Sequence, residues 1–488
     1  MRLKLVILFF FPILSACSVA ISLMSSKLPF ILSFVQLVPL LYIVLTTDKI
    51  KNIILICFIY TFILYFTLLW GVNNYGVHIF IISLFIKFIN YSFIMLAVNY
   101  INKKYSNTPY LNIFIFSILF ILIKELFFVV LNAPNFYYVA NGTSENLFFQ
   151  LVSVVGSDGA DLIIIFVNFF IAQELKYLFT IKKVSKKQIV TLSLTALFLC
   201  INFFHFNNLF DYREYNQTKN NNQVSFSIIQ GSVPRSEYVK AKNKSDLMSK
   251  IGSHYVNLTL DSQILKQSDV VLWPETSVKY FSFVAKALEK NINKFNLIGG
   301  FLKYDPKIGT ANSILFIDKT GIVKSRYDKV ITVPIAERNY VKGKKTNNIS
   351  FNNYKIATPI CFEALFPNLI RNLVLTGANL IITFTNEAGL KSEGLSYAIA
   401  KQTILRGVEN NRDVIRVSQS GPSIFASRNG KILKESKFFE TTFLKDNVRM
   451  YSSFSIYTKY RGFIIIITLF LSLLLFGFIH NKNEKNDD

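Results

Sequence analysis

The sequence predicts a polytopic α-helical membrane domain of eight spans joined to one α/β domain, and three observations carry that prediction. Hydrophobic residues make up 52% of the chain and charged residues only 17%, with a positive mean hydropathy of +0.38. The apolar residues gather in runs long enough to cross a bilayer, which takes about 20 residues as helix. Between residues 207 and 461 the usage of Pro, Gly, Asn and charged residues returns to globular levels, and short apolar runs alternate there with amphipathic ones. The 488 residues could divide into several soluble domains, but with 48 Phe and 24 Tyr too few polar residues remain to cover their surfaces. Disorder, which needs low hydrophobicity, is excluded on the same ground.

The expected spans are 6–23, 30–45, 53–71, 79–101, 113–131, 152–172, 190–206 and 463–479. Gly156, Asp158, Gly159 and Asp161 interrupt the sixth, and Lys124 and Glu125 stand inside the fifth. Charges at membrane depth mark either function or a neutralised pair facing other helices. Leu14-Ser15-Ala16-Cys17 resembles a lipoprotein processing box, yet apolar sequence resumes at Val19, so an uncleaved first helix is expected. Orientation follows from the short loops. Arg2 and Lys4, Lys49 and Lys51, Lys103 and Lys104, and Lys182, Lys183, Lys186 and Lys187 place the N-terminus and even-numbered loops in the cytoplasm. The expected domains are therefore 1–206, seven membrane helices; 207–461, outside the cytoplasm; and 462–488, an eighth helix with a short cytoplasmic tail.

The outside segment holds 37 Lys and Arg against 20 Asp and Glu, so +17 of the formal +24 resides there. These charges are interspersed with acidic ones, without a basic helix or an aromatic RNA-binding signature, so nucleic acid is not an expected partner. Anionic lipid headgroups are a better use for them. Strands are expected at 224–230, 270–273, 295–299, 313–318, 354–360, 380–385 and 414–418, and helices at 246–266, 367–375 and 396–411. That alternation is an α/β domain.

Three strand ends carry polar groups. Glu275 follows Val270-Val271-Leu272-Trp273-Pro274, Lys329 precedes Val330-Ile331-Thr332-Val333-Pro334, and Cys361 closes Ile356-Ala357-Thr358-Pro359-Ile360. Cys17, Cys57 and Cys200 fall in expected spans, which leaves Cys361 alone in the outside domain, without a disulfide partner there. On residues alone, both a structural cysteine and a nucleophile are open. Of the four histidines only His254 lies in this domain, within an expected helix, so a Cys–His pair is not expected. A carboxylate base with a lysine as cationic stabiliser fits the groups available.

Glu275, Lys329 and Cys361, in this order and context, resemble the Glu–Lys–Cys triad of the nitrilase superfamily. Joined to eight spans, with the domain between the seventh and eighth, the chain resembles the bacterial apolipoprotein N-acyltransferases. The likeness runs through Phe34-Val35-Gln36-Leu37-Val38-Pro39-Leu40-Leu41, Trp70-Gly71, the set Gln150, Gly156, Gly159 and Asn168, and Gln230-Gly231-Ser232-Val233-Pro234. It continues through Lys329 and Glu337 with Val333-Pro334 between, and Cys361-Phe362-Glu363 with Phe366-Pro367. Departures are Tyr238 as the nearest aromatic after the Gln-Gly entry, Phe362 after the nucleophile, and Pro334-Ile335-Ala336-Glu337 for Pro-Phe-Gly-Glu. Asn386-Glu387-Ala388-Gly389-Leu390-Lys391 stands for Asn-Asp-Ala-Trp-Phe-Gly.

The resemblance implies an α-β-β-α sandwich for residues 207–461 and catalysis by Glu275, Lys329 and Cys361. Glu337, Phe362 and Glu363 would support them, and Tyr238, Asn386 and Glu387 would lie on the substrate side. It implies transfer of a fatty acyl chain from a phospholipid such as phosphatidylethanolamine to the α-amine of a diacylglyceryl-cysteine in an apolipoprotein, as the last step of lipoprotein maturation. It requires neither metal nor cofactor, and sets the enzyme in a bacterial inner membrane with its catalytic domain on the periplasmic side. A membrane-anchored amidase or hydrolase with the same triad, and a non-catalytic homologue, remain as alternatives.

Overall fold

The computed structural model describes residues 2–25, 30–106, 108–131, 136–142, 146–181, 223–242, 244–260, 269–289 and 291–461. The expected spans at 190–206 and 463–479, with Cys200, lie outside them. The chain forms two compact units. One comprises Met1–Trp70, Phe80–Phe206 and Lys459–Asp488; the other comprises Gly71–Ile79 and Asn207–Thr458. The boundaries thus differ from the expected ones in one notable place, because Gly71–Ile79 falls with the second unit.

In the first unit, Arg2–Met24 (α1), Val38–Thr46 (α2), Ile50–Leu69 (α3), Val77–Lys104 (α4), Pro109–Leu131 (α5), the single turn Leu147–Gln150 (α6) and Val152–Ile181 (α7) follow the apolar runs. Among the described residues four helices are long and apolar enough to cross a membrane: Val6–Met24, Ile50–Tyr75, Val77–Lys104 and Val152–Phe179. The expected second span is shorter, a 3-10 turn Phe30–Phe34 followed by α2, because Pro39 suits only the first turn of a new helix. α7 kinks at Gly156, whose φ of 75° is open to glycine at little cost. Lys124 turns to Asp161 of α7, 3.1 Å away, while Glu125 accepts the Tyr137 hydroxyl. Asp161 also takes the backbone N–H groups of Tyr138 and Val139, so its buried charge is well supplied with donors. Asn168 bridges α7 to the Phe30–Phe34 turn, donating to the Ser33 carbonyl and accepting from Leu37 N–H.

The second unit contains two six-stranded sheets. Gln223–Gln230 (β1), Val270–Trp273 (β2), Asn296–Asp305 (β3), Gly309–Ile317 (β4), Val323–Asp328 (β5) and Thr442–Arg449 (β12) form the first, in the order β12-β1-β2-β3-β4-β5. Ile349–Phe351 (β6), Tyr354–Ala357 (β7), Leu380–Thr385 (β8), Val414–Ser418 (β9), Ile424–Ala426 (β10) and Ile432–Glu435 (β11) form the second, in the order β11-β10-β9-β8-β7-β6. Each sheet has a parallel centre, β1-β2-β3 and β7-β8-β9, with antiparallel strands outside it. Phe226, Ile228, Leu272 and Ile298 of the first sheet share one apolar core with Ile356, Ile382, Ile415 and Val417 of the second, so the sheets stack face to face. Ile229, Val271, Trp273 and Leu297 face the other way, onto Met248, Tyr255 and Val284 of helices Ser245–Thr259 and Ser282–Leu288. This two-way burial explains why the central strands read as continuous apolar runs. Helices Pro367–Leu375 and Glu393–Asn410 follow β7 and β8 as crossovers. β5, β6, β10, β11 and β12 were not among the expected strands; Val323–Asp328 and Ile432–Glu435 are largely exposed and polar, so they lack the apolar signal of a core strand.

Candidate active site

Parallel strands end together, and their carboxyl ends gather the polar groups. Pro274-Glu275 leaves β2, Lys329 leaves β5, Cys361 opens a 3-10 turn, Cys361–Leu365, after β7, and Asn386-Glu387 leaves β8. Antiparallel register aligns Ser313 of β4 with Asp328 of β5, and the Lys329 N–H donates to the Asn312 carbonyl. Lys329 is thereby carried onto the first sheet beside Glu275.

The amine of Lys329, 1% exposed, lies 3.2 Å from Glu275 Oε1 and 2.8 Å from Glu337 Oε1. Asn312 Nδ2 donates to the same Glu275 oxygen at 2.7 Å, and the Asn386 N–H donates to Oε2 at 2.9 Å. Glu337 is anchored in turn by the Val333 N–H at 2.7 Å. Gly300 makes room for the Glu275 turn, since a Cβ there would lie 2.5 Å from Glu275 Cα. Cys361 is partly exposed, with a φ of 49°, and Thr276, after the carboxylate, has a φ of 45°. Non-glycine residues in the left-handed region typically cost about 1–3 kcal/mol each. Both sit where a side chain must be turned out of the strand direction.

The electrostatics of this group follow from burial and from one cation shared by two carboxylates. Burial pushes the Glu275 carboxyl up from its ordinary value; Lys329 opposes that shift and Glu337 adds to it. Burial would lower the Lys329 amine, but Glu275 and Glu337 more than offset it and hold the amine above its ordinary value. Burial, and then Glu275, raise the Cys361 thiol, against the pull of Lys329. The thiol therefore rests protonated, with a lysine cation and a carboxylate of raised basicity near it. Such a set can take a proton from sulfur during attack and stabilise an oxyanion.

Glu363 is fully buried and joins the lysine and thiol segments. Its Oε1 accepts from Val330 N–H at 2.7 Å and Ile331 N–H at 3.0 Å; its Oε2 accepts from Ile360 N–H at 2.7 Å and the Tyr327 hydroxyl at 2.9 Å. Burial lifts its carboxyl to about 7 despite these donors. Phe362 packs edge-on against Phe366.

The residues expected on the substrate side are turned inward. Asn386 spends its side-chain amide on the Glu275 carbonyl and the Thr276 hydroxyl. Glu387, 1% exposed, is sealed against Arg416 and Ser396. The Tyr238 hydroxyl donates to the Ser277 carbonyl and accepts from Gln419. Asn386 and Tyr238 buttress the loop that carries Glu275, and Glu387 ties its own loop to Arg416, because a polar group beneath such a loop must be hydrogen-bonded. His254 is bonded to the Gly231 carbonyl. Asn312, Tyr327 and Arg416 join this network without being singled out by the sequence. Arg416 interrupts the apolar strand Val414–Ser418, and that mismatch was the one available signal.

Residues 240–450 match the family model described as carbon-nitrogen hydrolase. An apolipoprotein N-acyltransferase of Treponema denticola is 34% identical over 150 residues, covering 30% of this chain and 28% of that protein. One from Borreliella burgdorferi is 24% identical over 269 residues, covering 47% of this chain and 52% of that protein. The chain thus spans about half or less of the length of these curated relatives. Among solved structures, a carbon-nitrogen hydrolase from Helicobacter pylori superposes with a TM-score of 0.37 and 13% identity, over 51% of this chain and 94% of its own.

Proposed function

We propose that this protein transfers a fatty acyl chain from a membrane phospholipid to the N-terminal α-amine of a diacylglyceryl-cysteine in an apolipoprotein, through a thioester at Cys361. The observation that carries the reading is the buried Glu275–Lys329–Glu337 cluster beside the left-handed Cys361, in a chain that also has helices apolar enough to span a membrane. The similarity to apolipoprotein N-acyltransferases supports this choice of substrates over others open to a carbon-nitrogen hydrolase domain.

In the first half-reaction Glu275 takes the thiol proton as sulfur attacks the ester carbonyl of the phospholipid. The tetrahedral oxyanion is stabilised by the Lys329 ammonium and the Phe362 backbone N–H. Collapse breaks the C–O bond, and the departing lysophospholipid alkoxide recovers the proton from Glu275. In the second half the acceptor amine attacks the thioester, Glu275 takes its proton, and C–S cleavage returns sulfur to be reprotonated. Each half forms one bond and breaks one, and predicts ping-pong kinetics. Asn312 and Asn386 hold the Glu275 carboxylate through both halves.

Both substrates keep their acyl chains in the outer leaflet, and extracting one costs about 0.8 kcal/mol per CH₂. A catalytic domain tethered on the periplasmic side of the inner membrane avoids that cost. The lysines of the even-numbered short loops support this orientation. Phosphatidylethanolamine is the proposed donor.

The test is mass spectrometry of the full-length protein in detergent after incubation with phosphatidylethanolamine. A hydroxylamine-sensitive acyl adduct on Cys361, absent in Cys361→Ala, is expected, as is its transfer to a diacylglyceryl lipopeptide. An adduct that yields only free fatty acid makes the protein a hydrolase, and no adduct at all makes the fold non-catalytic.

A further inference from the structure

The segment Gly71–Ile79 joins two apolar helices, α3 and α4, and takes in the start of α4, yet belongs to the unit that holds the sheets. Arg235 fixes it at two points. Its Nη1 donates to the Asn74 carbonyl at 3.0 Å, and its guanidinium lies 4.4 Å over the Tyr75 ring. Asn74 reaches on to the Leu390 carbonyl at 3.4 Å, within the loop that follows Asn386.

Two missing side chains permit this approach. A Cβ on Gly389 would come within 2.6 Å of the Tyr75 hydroxyl and 2.9 Å of Arg235 Nη1. A Cβ on Gly71 would lie 2.3 Å from the Leu390 carbonyl oxygen, a backbone atom that cannot swing aside. The half-buried Tyr75 ring is thus clamped on one face by a cation, and its hydroxyl end is admitted at Gly389, three residues after the amide that binds Glu275. From there it lies within electrostatic range of the Cys361 side chain and of the Glu275 and Glu387 carboxylates. The acyl-transfer steps use none of Tyr75, Arg235, Gly71 or Gly389, although the arrangement is specific to all four.

We propose that Tyr75 is a positioning residue of the thiol site, its ring forming one wall of the path by which a long acyl chain is aligned on Cys361. A ring held by an arginine and by two close backbone approaches keeps one orientation, which is what an alignment surface needs. An aromatic face suits a polymethylene chain, which it can cover without presenting unsatisfied polar groups. The proposal rests on the reading of Cys361 as an acyl-accepting nucleophile.

Full-length variants in detergent test it, with p-nitrophenyl acetate and p-nitrophenyl palmitate as acyl donors and iodoacetamide as a small probe of Cys361. Tyr75→Ala is expected to lower kcat/KM for the palmitate ester on the order of tenfold more than for the acetate ester. Alkylation by iodoacetamide stays unchanged. Tyr75→Phe keeps the chain-length preference because it keeps the ring, Arg235→Gln loses it, and Arg235→Lys restores part of it. Equal effects on the two esters, or a parallel fall in alkylation, overturn the proposal in favour of a purely structural segment. If the wild type turns over both esters but never acylates a lipopeptide amine, the acyltransferase reading fails while the chain-length comparison still decides the role of Tyr75.

Discussion

The Glu363 carboxylate accepts the Val330 backbone N–H at 2.7 Å, so the turn that begins at the thiol grips the segment that presents the lysine. Glu363, two places after Cys361, thereby ties the segment of the thiol to the segment of the amine. Ionisation of Glu363 is coupled to the stability of that joint.

Burial raises the Glu363 carboxyl from 4.5 to about 7. The folded protein thus holds a proton there that the unfolded chain has released. The sign is fixed by linkage: this contribution to stability is fully present below about 4.5 and is lost as pH rises through about 7. The linked free energy is on the order of 3 kcal/mol. Melting temperatures in detergent between pH 5 and pH 8 are expected to fall for the wild type and to run flatter for Glu363→Gln. Parallel slopes in the two proteins count against the assignment.

Asn312→Ala removes the 2.7 Å donor to Glu275. A hydrogen bond to a charged group contributes roughly 1.5–3 kcal/mol. Its loss disfavours the carboxylate and raises the Glu275 carboxyl further. With Glu275 as the proposed base, the acidic limb of the rate of Cys361 acylation is expected to move to higher pH, by about one to two pH units. A drop in rate without movement of the limb would assign Asn312 to folding instead.

Lys329→Met leaves Glu275 and Glu337 facing each other without their cation. Removing one partner of a buried pair destabilises by about 3–5 kcal/mol. With Lys329 as the proposed oxyanion donor, its loss is expected to lower acylation by about 10²–10³-fold. Lys329→Met combined with Glu337→Gln is expected to recover most of the stability and none of the rate. Denaturant titration and burst kinetics separate the two; recovery of both would remove Lys329 from the chemistry.

Gly300→Ala drives a methyl group to 2.5 Å from Glu275 Cα and the Pro274 carbonyl oxygen. The turn must shift, and displacement of a positioned base by about 1 Å can cost about 10²-fold in rate. Acyl transfer and iodoacetamide labelling of Cys361 should fall together while circular dichroism stays normal; unchanged labelling and transfer would show that the Glu275 turn absorbs the methyl group.

Much of this molecule is legible along the chain because hydropathy is a local record of burial. The apolar runs announce helices α1, α3, α4 and α7, and double-sided apolar stretches announce β1, β2, β8 and β9. Glu275, Lys329 and Cys361 stand out because each breaks such a pattern at a strand end. The polar or exposed strands β5 and β11 escape notice, since pairing rather than burial holds them.

Partner choice is another matter. Asn386 and Glu387 look like substrate contacts in the sequence, yet the fold turns one onto Glu275 and the other onto Arg416. Asn312 has no distinguishing neighbourhood until the β4–β5 register carries it to Lys329. Tyr75 lies about 160 residues from Arg235 in the chain and meets it only when Gly71 and Gly389 let two backbones close. The composition and order of the chain settle which elements form and which groups could do chemistry. Which buried polar group satisfies which other is settled by three-dimensional register, because a hydrogen bond needs its two atoms within about 3 Å whatever their separation in sequence.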